Sequence, residues 1–179
     1  KWVRQKSEKV KSLLSGIKIV AKKVRWGILG AANIAVKKVI PAMQSGAFCT
    51  VAAIASRSLE KAESAARNLN VPKSYGSYEE LINDRQIDAI YNPLPNNLHV
   101  EWTIKAAEAG KHVLCEKPIA LTAEEVSKLI ETRNRTGLNI QEAFMVRSPP
   151  QWLAVRDLIK QKRIGAFQAI SGLFGYFYT

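Results

Sequence analysis

Gly27-Ile28-Leu29-Gly30-Ala31-Ala32-Asn33-Ile34-Ala35 closes one short apolar run and opens a helical pattern. Gly30, Ala32 and Ala35 hold the three small positions of a loosened dinucleotide fingerprint. Small side chains at those positions let the backbone approach a pyrophosphate, and the N-terminus of the following helix supplies free N–H donors. Alone the turn is a weak signal, because any tight strand-to-helix connection uses similar residues. Its place directly after a strand and before a helix gives it weight.

Outward from this turn, short apolar runs alternate with helical patterns, as expected of stacked βαβ units around a parallel sheet. Strands are predicted at Val24–Gly30, Phe48–Ala55, Lys73–Tyr75, Asp88–Asn92, His112–Cys115 and Leu138–Phe144. Helices are predicted from Asn33 to Ser45, from a Ser58 cap to Leu69, from Ser77 to Asn83, and from Leu98 to Ala109 with Gly110 as the stop. A further helix runs from Thr122, with Glu125 completing a capping box, to Thr136 before Gly137. The fold class is therefore α/β with a doubly wound parallel sheet. Residues 151–162 read as helical, and Ala166–Thr179 reads as an aromatic-rich strand whose neighbours are missing. The expected division is a basic extension at 1–23, a nucleotide-binding domain at 24–145, and the truncated start of an α+β substrate domain at 146–179.

Composition narrows the function classes. The 179 residues are 47% apolar and 23% charged, enough for one core and part of another. No uncharged apolar run reaches about 18 residues, which argues against a membrane span. No secretory cleavage pattern occurs, so a cytoplasmic location is expected. Cys49 and Cys115 fall in predicted buried strands, where they serve as small hydrophobes rather than as a disulfide framework. The net charge of +12 is concentrated at one end: residues 1–25 hold nine Lys or Arg against Glu8, leaving +4 for the other 154. That distribution argues against nucleic acid as a partner of the folded body. Val3, Val10, Leu13, Leu14 and Ile17 recur at helical spacing in the extension, although a solvated appendage or a boundary artefact is the favoured reading.

Three further segments carry chemistry. Where an NAD-specific enzyme presents an acid to the ribose 2′-hydroxyl, this chain has Ser56-Arg57-Ser58 and, one turn on, Lys61. An Arg can grip a 2′-phosphate with a bidentate fork, and the two serines add hydrogen bonds, so NADP is favoured over NAD. The bland alternative is a solvated Arg beside a capping Ser. Asn92-Pro93-Leu94-Pro95-Asn96-Asn97-Leu98-His99 follows a strand at the rim where open α/β sheets bind ligands. Asn96 and His99 either face a nicotinamide there, or cap the next helix and sit on its surface. Glu116-Lys117-Pro118 follows the next strand at the same rim. A lysine at that place can orient a substrate oxygen and help move its proton, while by residue type alone the tripeptide is no better than a surface turn.

Taken together, Trp26 to Ala35, Ala55 to Ser58, Tyr91 to His99, Gly110 to Pro118, Glu142-Ala143-Phe144-Met145 with Arg147, and Gln151-Trp152 resemble, in order and spacing, the Gfo/Idh/MocA oxidoreductases. The likeness is greatest to their NADP-linked xylose and dihydrodiol dehydrogenases. It implies a Rossmann-type domain with NADP across Gly30, Ala31, Ala32, Asn33, Ile34, Ser56 and Arg57, and a nicotinamide near Pro93, Leu94, Glu116 and Lys117. It further implies hydride transfer to or from a sugar, polyol or diol carbon, with Lys117 acting on the substrate oxygen. An acid-base Tyr or His would come from the second domain beyond Thr179, and Arg147 would support the rim. The parent protein would often be a homo-oligomer. One departure is Pro149-Pro150 after Arg147-Ser148, where the family commonly has His-Pro; this puts a substrate-side contact in doubt. The rival reading is a non-catalytic dinucleotide sensor or scaffold that reaches a partner through its basic extension.

Overall fold

The computed structural model describes residues 22–173 and 175. Six strands form one wholly parallel sheet: β1 (Val24–Leu29), β2 (Cys49–Ala55), β3 (Lys73–Tyr75), β4 (Ala89–Asn92), β5 (His112–Cys115) and β6 (Ile140–Glu142). Their spatial order is β3-β2-β1-β4-β5-β6. The chain winds outward from β1 in one direction, returns, and winds outward from β4 in the other. The reversal lies between β1 and β4, and at such a point an open α/β sheet has its ligand crevice.

Alternation along the strands feeds two cores. Leu29, Ala55, Leu81, Ile90, Trp102 and Val113 pack on one face, and Ile28, Ile40, Ile54, Ala66 and Tyr91 on the other. Across β1 the partners of Trp26 and Gly27 are Val51 and Ala53, so Ala52 is an extra residue in β2. This bulge sends Val51 and Ala53, two apart in sequence, to opposite faces.

Three of the predicted helices open on a capping hydroxyl. Ser58 caps α2 (Leu59–Leu69) by accepting from Lys61 N at 3.4 Å, and Ser77 caps α3 (Tyr78–Asn83) by accepting from Glu80 N at 3.2 Å. Thr122 Oγ1 accepts from Glu125 N, and Glu125 returns by accepting from Leu121 N, opening α5 (Ala123–Thr136). Each cap contributes about 0.5–2 kcal/mol. Gly137 ends that helix at φ +69°. Helix α4 (His99–Glu108) is entered through a 3-10 turn, Asn96–Leu98. The first helix differs from expectation. Residues 35–39 are π-helical and run into α1 (Ile40–Ser45), with Ile40 N donating to Ala35 O. Pro41 lacks the N–H that a regular turn would need from it, and the wide turn lies directly before it.

Charges fasten the edge of the sheet where the strands begin. Arg25 grips Asp88 with Nε at 2.9 Å and Nη2 at 2.6 Å, and its backbone N–H donates to the same carboxylate. Asp84 accepts from Lys73 Nζ and Tyr75 Oη, both at 2.8 Å, and from Gln86 N at 2.7 Å. The buried Lys111 amine donates to Asp84 O and Ile87 O. Hydrogen bonding from Lys73, with smaller help from Gln86 and Tyr75, lowers the Asp84 carboxyl to about 2. Arg25 holds Asp88 below the usual carboxylate range by the same means. Folded-state values below the unfolded ones mean that this stabilisation is complete above the unfolded carboxylate value of about 3.9. It is lost as the pH falls from there toward the depressed Asp84 value of about 2. The melting midpoint followed by circular dichroism should therefore drop across that window, and Asp84→Asn should shrink the drop. An unchanged acid profile in the variant would contradict the assignment.

The chain divides into compact units at Lys1–Ala143 and Phe144–Thr179. In the second, Met145–Arg147 makes a 3-10 turn and Pro150–Lys160 forms α6. The strand expected over Ala166–Thr179 is not formed at residues 166–173 or 175, which lie exposed without strand structure; the rest of it lies outside the described residues. A single strand has nothing with which to pair its backbone groups. The basic extension at residues 1–21 also lies outside the described residues. Among the described residues no helix is long and apolar enough to cross a membrane.

Candidate dinucleotide crevice

Because every strand runs the same way, the segments singled out in the sequence all emerge from one edge of the sheet. Gly30 follows β1, Ser56 and Arg57 follow β2, Pro93 and Leu94 follow β4, and Glu116 and Lys117 follow β5.

The turn after β1 needs its glycine. Gly30 adopts φ +83°, and a Cβ added there would lie 3.1 Å from Leu94 Cδ2 and 3.7 Å from Tyr78 Oη. The backbone is thus bare at the point where β1 and β4 diverge. Ala31, Asn33 and Ile34 are exposed and Ala32 half-buried as the chain turns helical, while Ala35 is fully buried against the sheet. Uncapped N–H groups at the opening of this helix suit an anion, and the missing side chain at Gly30 lets the turn sit close against Leu94 and Tyr78.

At the end of β2, Ser56 N donates to Tyr75 O, which ties the tips of β2 and β3 together. Ser56 Oγ accepts from Ser58 N at 3.3 Å. Arg57 is exposed between these two half-buried serines, and Lys61 is exposed on the first turn of α2. Residues 56–58 contain no carboxylate. Tyr78 enters this corner from α3. Its ring is 7% exposed and meets Trp102 edge-on, with centroids 4.9 Å apart.

The β4 and β5 loops are held by a buried network. Asn92, fully buried, donates to His99 O and Thr103 Oγ1 and accepts from Leu94 N. Pro93 and Leu94 are buried and Asn96 is exposed, making no side-chain cap. His99 is neither a group facing the crevice nor a surface residue: it is 1% exposed. Its Nε2 lies 2.7 Å from Leu94 O and its Nδ1 2.7 Å from Pro118 O. The ring joins the loop after β4 to the loop after β5, and the cofactor-contact expectation for His99 is corrected to one of support.

Glu116 is half-buried and turned inward. Its Oε1 accepts from Tyr91 Oη at 2.7 Å and its Oε2 from Lys117 N at 3.2 Å. Burial, and then this carboxylate, push the Tyr91 hydroxyl far above its ordinary value, so it stays a donor. The Lys117 side chain is exposed and the Lys117–Pro118 peptide is cis. Burial pushes the Cys115 thiol up to about 12, which leaves it protonated and removes it as a nucleophile. Arg147 is exposed in the 3-10 turn of the second unit.

Sequence reasoning missed Tyr78, Asn92 and the His99 bridge. Tyr78 stands directly after the capping Ser77 and reads there as an ordinary helix start. Asn92 carried a faint signal, a polar residue ending an otherwise apolar strand.

The chain is similar to proteins with related names. Over 151 residues it is 56% identical to the uncharacterized oxidoreductase ORF334 of Rhizobium meliloti, covering 84% of this chain and 45% of that protein. It is 42% identical to D-xylose 1-dehydrogenase (NADP(+)) 2 of Haloferax volcanii, again over 84% of this chain and 46% of the relative. Among solved structures, KijD10, a 3-ketoreductase from Actinomadura kijaniata in complex with TDP-benzene and NADP, superposes with a TM-score of 0.73 at 34% identity. That match covers 78% of this chain and 44% of KijD10. The chain spans less than half the length of these curated relatives. Residues 24–144 match the model of the Gfo/Idh/MocA group, an oxidoreductase family with an NAD-binding Rossmann fold, and the chain belongs to that family.

Proposed function

We propose that this chain is the nucleotide-binding part of an NADP(H)-dependent oxidoreductase acting on a sugar, polyol or diol carbon. One observation carries the reading: the glycine turn at Gly30 leads into an exposed, uncapped helix start, and the neighbouring strand ends in an exposed Arg57 without a carboxylate. The first feature suits a pyrophosphate, and the second suits a 2′-phosphate rather than a free ribose hydroxyl. Two relatives support the cofactor, the D-xylose 1-dehydrogenase being NADP(+)-linked and the KijD10 ketoreductase being in complex with NADP, and the first of them supports a sugar substrate.

In this reading amides of Ala31, Ala32, Asn33 and Ile34 hold the pyrophosphate, Gly30 shapes the turn while its own N–H donates to Ala55 O at 2.7 Å, and Arg57, Ser56, Ser58 and Lys61 hold the 2′-phosphate. Pro93 and Leu94 wall the nicotinamide side, with Asn96 at its margin. When bound, the nicotinamide supplies or accepts a hydride. Lys117, free of any carboxylate partner among the described residues, orients the substrate oxygen and assists its proton. Glu116 acts indirectly: braced by Tyr91, it accepts from the Lys117 N–H and fixes where that side chain leaves the loop. Residues 146–179 begin the substrate domain, to which Arg147 belongs and which supplies the remaining acid-base group.

Titrating the 179-residue protein with NADPH while following energy transfer from tryptophan tests the reading. Saturable binding is expected within the range of about 1 μM to 1 mM usual for such ligands. No saturation in that range would overturn the proposal.

A further inference from the structure

We propose that Glu142, the last residue of β6, is a positioning residue for Lys117: by accepting the Ile119 N–H it fixes the far side of the Lys117–Pro118 turn and so sets where the lysine amine stands. The inference rests on the cofactor reading above, with the nicotinamide near Lys117, and gives Glu142 a task within it.

Side chains hold the main chain of this turn at three consecutive residues. Lys117 N donates to Glu116 Oε2 at 3.2 Å, Pro118 O lies 2.7 Å from His99 Nδ1, and Ile119 N donates to Glu142 Oε1 at 3.0 Å. Each holder is itself fastened away from the turn. Glu116 is braced by the fully buried Tyr91, and the His99 ring reaches Leu94 O. Glu142 is fastened by the sheet. It pairs in register with the fully buried Cys115, two residues before Lys117, and the next residue, Ala143, donates its N–H to Cys115 O at 2.7 Å.

The half-buried Glu142 has no Lys or Arg partner among the described residues. Withdrawing a carboxylate from water is costly unless hydrogen bonds serve it, and the Ile119 N–H does so here. A lysine side chain is long and rotatable, so its amine is placed only as well as the main chain that carries it. Glu116 and His99 hold the turn as far as Pro118. Glu142 holds the step beyond, and without that contact the turn can swing about its first two ties. Misplacement by about 1 Å is enough to spoil the alignment of a reacting group. The effect of Glu142 passes through the main chain of the turn to Lys117.

The experiment measures how far bound NADPH shields the Lys117 amine from acetylation by acetic anhydride in the 179-residue chain, read residue by residue by mass spectrometry. Lys105, paired with Glu101 on α4, is the internal reference. With NADPH at about ten times the dissociation constant found by titrating each variant, Lys117 of the wild type should react about tenfold more slowly and Lys105 at an unchanged rate. Glu142→Ala removes the contact, and Glu142→Asp keeps the charge but shortens the reach by one methylene; both should lose most of the shielding. Glu142→Gln should keep it, because the amide oxygen can accept the same N–H. Circular dichroism checks that each variant is folded, and if the alanine variant is not, the aspartate and glutamine variants decide. Shielding that survives in Glu142→Asp and in folded Glu142→Ala, with only a lower melting midpoint, would make Glu142 merely structural and overturn this inference alone. Equal loss in Glu142→Gln would overturn it too, since the accepting oxygen is present there. Wild type that binds NADPH without shielding Lys117 overturns the placement of the nicotinamide, and wild type that does not bind it overturns the cofactor reading.

Discussion

Arg57→Ala should weaken NADPH binding by about 10- to 150-fold while leaving NADH nearly unaffected. The size follows from losing a charge-assisted interaction of about 1.5–3 kcal/mol, with about 1.4 kcal/mol per factor of ten. The selectivity follows from location. Arg57 is exposed at the tip of β2, past the pyrophosphate turn, and residues 56–58 offer no carboxylate to hold a free ribose. NADH has nothing for the guanidinium to grip. Rising salt should shrink the wild-type preference as well, because the contact is between charges at a surface. Parallel titrations of the two cofactors decide the matter. An equal loss for both would refute a 2′-phosphate clamp and leave Arg57 a general anchor.

Gly30→Val should weaken NADPH and NADH together by more than about 100-fold, leaving their ratio nearly unchanged, as expected if two charge-assisted contacts common to both are lost. Two costs combine at this residue. A β-branched residue is strained at the φ of +83° found here, a penalty of about 1–3 kcal/mol. Its Cβ would also stand 3.1 Å from Leu94 Cδ2, so the wall on the β4 side must retreat. The branches crowd the Leu94 and Tyr78 side chains and so displace the turn that would carry a pyrophosphate. The strain should lower the melting midpoint by roughly 2–4 °C per kcal/mol, short of unfolding the sheet. Folded protein that still bound NADH normally would show that the phosphates lie elsewhere. The contrast with Arg57 is informative: one position governs which dinucleotide binds, the other whether any does.

Features set by neighbours in sequence were legible before the structure. Ser58, Ser77 and Thr122 cap the helices they precede, and Gly137 ends α5 in a left-handed conformation. The Gly30 turn and the strand end at Ser56 and Arg57 belong to this class, because a motif within one connection carries each. Features set by distant partners were not. His99 takes its role from carbonyls 5 and 19 residues away, and nothing beside it in the sequence distinguishes such a ring from a surface histidine. Tyr78 depends on how the tip of β2 meets that of β3. The π-helical stretch at 35–39 was missed although Pro41 announces it. The last strand of the sheet shortened to three residues because β6 pairs on one side only, with β5.

The bridge made by His99 grips main-chain oxygens alone. Neither Leu94 nor Pro118 contributes a side-chain atom to it. The residues of both loops can therefore be exchanged, and the lining they offer a substrate altered, while the spacing of the loops stays fixed by a fastening that does not depend on what they carry. A scaffold of that kind separates holding a shape from choosing a ligand, so new specificities can arise by point changes in the lining with the frame undisturbed.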